Sequence, residues 1–336
     1  VYLFSRDDEE ENLKCLDPKT GKTLWKKGYE APYEMNPAAF GHGKGPKATP
    51  VAYDGFIFTF GITGVISAYN ADNGALAWQQ TFKDKYKRTD PLYGQCLSPM
   101  IHKGKLITHV GGHDQGALAA LDVKTGKVVW QWDGDGPGYA SPIVATFGGV
   151  EQVITQTQKL VISLDASSGA LLWELPLTTD YDQNSITPIA MGDMLYISAL
   201  DKGTWAYKPS KAKAEQVWHN ADVSFYMSTP VLVDGDLYGM ANKRAGQFVR
   251  LNGKTGEEVW GSKGRQGKNA ALISLGDKVM AMTTSGNLKV FATGTAEYHE
   301  LRDYSVAKSQ VWAHPAVSGP QILVKSKDRL HLLSAK

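Results

Sequence analysis

Ten residues of this chain carry side chains suited to proton transfer or recognition, and they share one kind of place. His42, Lys47, Gln95, Tyr139, Asn184, Tyr226, Arg265, Asn269, Trp312 and His314 lie beside or shortly before a recurring Ser/Thr-Pro step or its equivalent. Imidazole, phenol and guanidinium could supply a base, an acid and charge neutralisation for cleaving a polysaccharide, were several of them to meet in one pocket. Nothing in their spacing shows that they converge, so no catalytic residue is assigned. The set is aromatic, amide and basic, with Lys268 beside it; Asp182 is the nearest carboxylate and Asp90 and Asp222 lie further off. The paired acids of glycoside hydrolysis are therefore lacking. His109 and His113 are four apart, but a strand and turn do not bring such a pair onto one face as a helix does, and no metal is expected.

A repeated ten-residue phrase must position these residues. It reads Leu/Tyr-Asp/Asn-x-x-Thr/Asn/Ser-Gly-x-x-x-Trp and runs from Leu16 to Trp25, Tyr69 to Trp78, Leu121 to Trp130, Leu164 to Trp173 and Leu251 to Trp260. A worn copy with two extra residues and no Gly spans Tyr207 to Trp218. Its Asp or Asn can bond the backbone of a turn, and its Gly supplies the positive φ of a tight reversal. The phrase thus predicts a turn between the third and fourth strands of a unit. Trp25, Trp78, Trp130, Trp173, Trp218 and Trp260 then fall on outer strands, where a large ring can pack against the neighbouring unit. Trp205 and Trp312 stand outside the phrase.

Each unit opens with an apolar run after Thr49-Pro50, Ser98-Pro99, Ser141-Pro142, Thr187-Pro188, Thr229-Pro230 or His314-Pro315, and with the Pro-less Asn269-Ala270-Ala271. His314 stands where the other units place a hydroxyl that can bond a neighbour. Gly/Asp turns follow, such as Asp54-Gly55 and Asp234-Gly235, which join strands into hairpins. Four antiparallel strands per period of roughly 45 residues describe a β-propeller blade. The expected fold is all-β, a single eight-bladed β-propeller domain of four-stranded antiparallel blades over residues 1–336. Its blades are expected at about 1–30, 48–82, 97–134, 140–178, 186–221, 228–263, 269–304 and 313–336. The first lacks its inner strand and the last its outer one, so closing N-terminal strands are expected to be missing or truncated. The loops before each Ser/Thr-Pro should open on one funnel face. Two of them, Ala31 to Ala48 and Thr81 to Leu97, are long enough to add wall.

Composition excludes other classes. Lys and Arg number 36 against 34 Asp and Glu, a net charge of +2, without the basic stripe that neutralises a phosphate backbone. Nucleic acid is not an expected partner. No apolar run approaches the roughly 18 residues needed to span a bilayer. Cys15 and Cys96 are the only cysteines; their spacing makes no CxxC pair, and two reduced thiols is the simplest reading, with pairing left open. The chain opens at Val1 inside a strand pattern, so an upstream segment and its targeting information are expected to have been removed or left out.

The Leu-Asp-x-x-Thr-Gly-x-x-x-Trp phrase resembles the quinoprotein-type, PQQ-like propeller repeat, and the resemblance covers essentially the whole chain. That family contains large quinone-dependent alcohol and sugar dehydrogenases and smaller non-catalytic propellers such as the BamB-type lipoproteins of outer-membrane barrel assembly. In length the chain is similar to the second kind. Gly111-Gly112-His113 and Tyr181-Asp182-Gln183-Asn184-Ser185 resemble segments of secreted bacterial propellers. The dehydrogenases use an Asp base, a calcium ion held by carboxylate and amide oxygens, and an adjacent cysteine pair under the quinone. This chain has no Cys-Cys and no acidic cluster at the expected mouth, so no cofactor is expected and PQQ is disfavoured. The resemblance implies a periplasmic or extracellular, non-catalytic, monomeric propeller. Its funnel face would meet a protein, peptide, glycan or small ligand, with envelope assembly as one role, through strand addition or rim side chains. A polysaccharide lyase or hydrolase and a degenerate PQQ-dependent dehydrogenase remain the alternatives.

Overall fold

In the computed structural model, which describes residues 1–86 and 91–334, each phrase folds as a turn stapled by its own side chain. Asp17 Oδ1 accepts the amides of Lys19 and Thr20 at 2.9 and 2.8 Å. Asn70, Asp122, Asp165 and Asn252 do the same in their copies. The glycine four residues on takes a φ between 69° and 75° in all five copies. A register shift follows at the same place, for example between Ala120 and Leu121 or Arg250 and Leu251, and such a bulge bends the outer strand.

Eight antiparallel sheets result, and the fold class is an eight-bladed β-propeller. Blade 1 has the three strands Tyr2–Asp7, Glu10–Leu16 and Thr23–Glu30. Blades 2 to 7 have four strands each and open at Val51–Tyr53, Met100–His102, Ile143–Phe147, Ile189–Met191, Val231–Val233 and Ala270–Ser274. Their outer strands are Leu76–Gln80, Val128–Gly134, Leu171–Pro176, Ala214–Asn220, Glu258–Gly261 and Glu300–Ser305. Blade 8 has three, Ala316–Ser318, Gln321–Lys325 and Leu330–Ser334. The two deficient blades are the ones the repeat count singled out. By internal contacts the chain divides into two compact units, one holding blades 1 to 4 (Val1–Thr178, with Asp182–Asn184 and Lys211–Lys213) and one holding blades 5 to 8.

Within each unit, phrase Trp and phrase Gly turn out to be one device. A Cβ on Gly74 would fall 2.6 Å from the Trp25 ring; Gly126 stands so to Trp78 at 2.7 Å, Gly169 to Trp130 at 2.6 Å and Gly256 to Trp218 at 2.5 Å. Each ring lies on the turn of the following blade, close enough that only glycine leaves room. The indole N–H then donates to a carbonyl of that turn, from Trp78 to Val123 at 2.9 Å, Trp130 to Ala166 at 3.2 Å and Trp218 to Gly253 at 2.9 Å. In blade 1 the Tyr2 hydroxyl takes the equivalent carbonyl of Ala71, and the Trp25 N–H is left without a partner.

The Ser/Thr-Pro steps stitch the inner ends. Ser98 Oγ accepts the Thr49 amide and Ser141 Oγ the Ser98 amide, both at 2.9 Å. In the second unit Thr229 Oγ1 accepts the Thr187 amide at 3.2 Å, and Ser228 Oγ accepts the Ala270 amide at 2.9 Å. Between these belts lie buried apolar layers, such as Phe58, Phe60, Ile66 and Leu106 in the first unit and Tyr238, Phe248 and Phe291 in the second.

Candidate functional site

The first unit gathers sequence candidates and several residues outside that set. The loop carrying Lys47 is held against the loop carrying Gln95, because Lys47 Nζ donates to the Tyr93 carbonyl at 2.8 Å. Gly94 has a φ of 73°, and a Cβ there would lie 2.4 Å from Ile62 Cγ1 and 3.1 Å from Tyr33 Oη. This close approach seats the Tyr93 ring edge-on to Tyr139, with centroids 5.6 Å apart and planes at 61°. Gln183 Nε2 donates to Tyr93 Oη at 2.8 Å, and the Cys96 thiol lies 3.3 Å from the Gly94 carbonyl.

The electrostatics of this cluster follow from burial beside a cation. Burial, then the neighbouring Lys47 charge, lowers the proton affinity of the half-buried His42 imidazole. Burial pushes the Cys96 thiol up, partly offset by Lys47, and pushes the Tyr139 phenol up, helped by Cys96. Thiol and phenol therefore stay protonated near neutral pH. A nucleophile wants the opposite shift, a lowered pKa or an adjacent base.

Two further candidates use their amides to hold backbone. Asn184 is fully buried, and its Nδ2 donates to the carbonyls of Thr157, Gln158 and Leu177 at 3.0, 3.1 and 2.7 Å. Its own carbonyl accepts the Tyr139 amide. The buried Gln95 donates Nε2 to Gly111 O at 2.8 Å. Asp182, the nearest carboxylate, lies 3.7 Å from His113 Nε2, with Asp114 3.6 Å away on the same nitrogen. Gln158 Oε1 accepts the Asp114 amide, so the Gln158 NH2 donates to His113 Nδ1 at 3.0 Å and the ring proton sits on Nε2, facing the carboxylates. Asp90 lies outside the described residues.

In the second unit the candidates are placed as follows. Asn269 is buried, and its NH2 meets the carbonyls of Tyr226 and Lys268 at 2.7 and 3.0 Å. Arg265 is exposed at a φ of 63°, its amide on Arg244 O. Trp312 is exposed and donates to Gln310 Oε1 at 3.2 Å; His314 is exposed beside it. Tyr33, Tyr93, Cys96 and Gln183 belong to the first cluster although none was among the ten candidates. The first three sit in the two longest loops, where loop length was the signal, and Gln183 lies in the Tyr181-Asp182-Gln183-Asn184-Ser185 segment quoted for the resemblance.

Among the described residues no three His, Cys, Asp or Glu side chains converge as ligands for an ion. Cys15 and Cys96 are separate free thiols.

A family model described as outer membrane protein assembly factor BamB matches residues 9–262 and again 192–310. The chain belongs to this family. The BamB protein of Yersinia pestis is 24% identical over 266 residues, covering 73% of this chain and 65% of the relative. The chain thus spans somewhat less than two thirds of the curated BamB relative. The solved BamB structure from Moraxella catarrhalis superposes with a TM-score of 0.69 at 14% identity, over 98% of this chain and 95% of that one. Quinohemoprotein alcohol dehydrogenase ADHIIG from Pseudomonas putida HK5 superposes at 0.66 and 13% identity, over 94% of this chain and 67% of the enzyme. An assembly factor and an oxidoreductase share the fold, so the fold does not choose between them.

Proposed function

We propose that this chain is a non-catalytic binding propeller that holds protein partners during outer-membrane protein assembly, at a periplasmic or extracellular location. The observation that carries the reading is how the candidate polar groups are used. In the first unit Lys47, Gln95 and Asn184 give their donors to backbone carbonyls of neighbouring loops and strands, and in the second Asn269 does the same, which makes stiff loops rather than a set of poised reactants. The family match along most of the chain supports the assembly role. Beside the first cluster the short helical turn Pro37–His42 exposes Phe40, 63% accessible, and a rigid rim with a projecting aromatic ring suits a protein surface. No quinone or metal takes part in this reading.

The test is site-specific photo-crosslinking in the native host, with the photoreactive residue at Phe40 and, separately, at the exposed Lys254 turn of blade 6. Adducts from position 40 with outer-membrane assembly proteins are expected, and none from position 254. Absence of protein adducts at position 40, or quinone-dependent dye reduction by the purified protein, would overturn the proposal.

A further inference from the structure

The repeat is worn in blade 5 and breaks further in blade 7, where a cleft opens. In the intact phrase a backbone bond closes the turn over six residues, as from the Asp122 amide to Lys127 O. In blade 7 the equivalent bond runs from the Ala292 amide to His299 O at 3.0 Å, two residues longer. Ala292 stands where the five full copies have Asp or Asn, and Arg302, paired with Val290, stands where they have Trp. The Trp260 ring of blade 6 therefore docks on no glycine. It meets Tyr298 at 5.5 Å and 62°, and its buried indole N–H has no acceptor. Buried polar groups are almost always paired, so an orphan marks a departure from the packing rule.

Beside this contact lies a cleft of about 560 Å³, within the range of roughly 300–1,000 Å³ that small-molecule sites occupy. Trp260 and Tyr298 form its apolar part. One wall carries Lys263 and Gln266, the other Glu297 and Glu300. Glu300 accepts from Lys289 and from the Tyr298 hydroxyl at 2.9 and 3.0 Å, which fixes that ring. Gln266 Nε2 donates to Lys263 O, leaving its carbonyl oxygen open, and the exposed Lys263 ammonium and Glu297 carboxylate are open too. The cleft thus offers donors and acceptors on opposite walls of an aromatic seat. That combination fits a molecule with hydroxyls along its edges and C–H groups on its faces.

We infer that the cleft between the outer strands of blades 6 and 7 is a binding site for one or two units of a neutral saccharide. Its residues are not those of the cluster around Lys47 and Tyr93, and the two readings stand or fall independently. Ligand-observed NMR on the whole chain with a panel of neutral mono- and disaccharides, including N-acetylglucosamine and maltose, tests it. Saturation transfer from the protein to at least one sugar is expected. Gln266→Ala and Glu297→Ala, both at partly or fully exposed positions outside the core, should each weaken it roughly fivefold to tenfold, as loss of a hydrogen bond would. Lys208→Ala, on blade 5 of the same unit and outside the cleft lining, should leave it unchanged. No binding across the panel, binding that both cleft variants retain in full, or binding of short mixed-charge peptides in place of sugars would overturn the assignment.

Discussion

His109 shows what the interior of this protein demands of a single residue. It is fully buried on the second strand of blade 3, with Nε2 3.0 Å from the Asp135 carbonyl. Burial depresses its proton affinity, to a pKa of about 4 from an ordinary 6.5, despite that carbonyl. Below pH 6.5 the unfolded chain takes a proton that the folded chain refuses until about pH 4. The stability that neutral His109 contributes is therefore complete above pH 6.5 and lost as pH falls toward 4, a total on the order of 3 kcal/mol. Denaturant midpoints measured between pH 7 and 4 should fall steeply in the wild type and less steeply in His109→Gln. Equal slopes would contradict the assignment. The sequence argued against a His109–His113 metal pair, but it did not show which of the two is buried. The strand ends at Gly112, so His109 stays in the core while His113, on the turn beyond it, joins a network with Gln158, Asp114 and Asp182.

At the scale of the element, the ten-residue phrase states more than its own turn. Its Gly serves φ and also admits the Trp of the preceding blade. Gly21 separates the two roles. Its φ of 69° matches Gly126, yet nothing lies within 4 Å of where its Cβ would be, whereas a Cβ on Gly126 would stand 2.7 Å from Trp78. Gly21→Ala should cost roughly 1 kcal/mol, the strain of an L-residue at positive φ. Gly126→Ala should cost about 2 kcal/mol more, because Trp78 must shift in a packed layer. A double-mutant cycle of Gly126→Ala with Trp78→Leu should recover part of that excess, read as urea midpoints; additive losses would show that the ring and the glycine are not coupled. The turn chemistry and the outer-strand place of each Trp were legible because both depend on local sequence. The partner of each ring was not, since it lies some 40 to 50 residues away, for instance Trp130 to Gly169 and Trp25 to Gly74.

For the whole molecule, counting phrases and Pro steps was enough for the blade number and for the short first and last blades, because every blade repeats the same local signals. The candidate site was less legible. The ten candidates were chosen by loop position, which says where a residue sits in the chain and not where its side chain points. Asn184 and Gln95 turned inward to bind backbone, while the unflagged Tyr93, Tyr33 and Cys96 joined Lys47, His42 and Tyr139. A first-unit cluster whose amides and ammonium are tied to neighbouring backbone carbonyls is built to keep its shape on contact. The central claim is that this shape serves outer-membrane protein assembly through binding alone. The most direct measurement is the heat-modifiability of outer-membrane β-barrel proteins on gels after the protein is depleted from its native host. The account predicts a fall in the folded, heat-modifiable fraction, restored by the wild-type protein. Unchanged folded barrel proteins after complete depletion would contradict it.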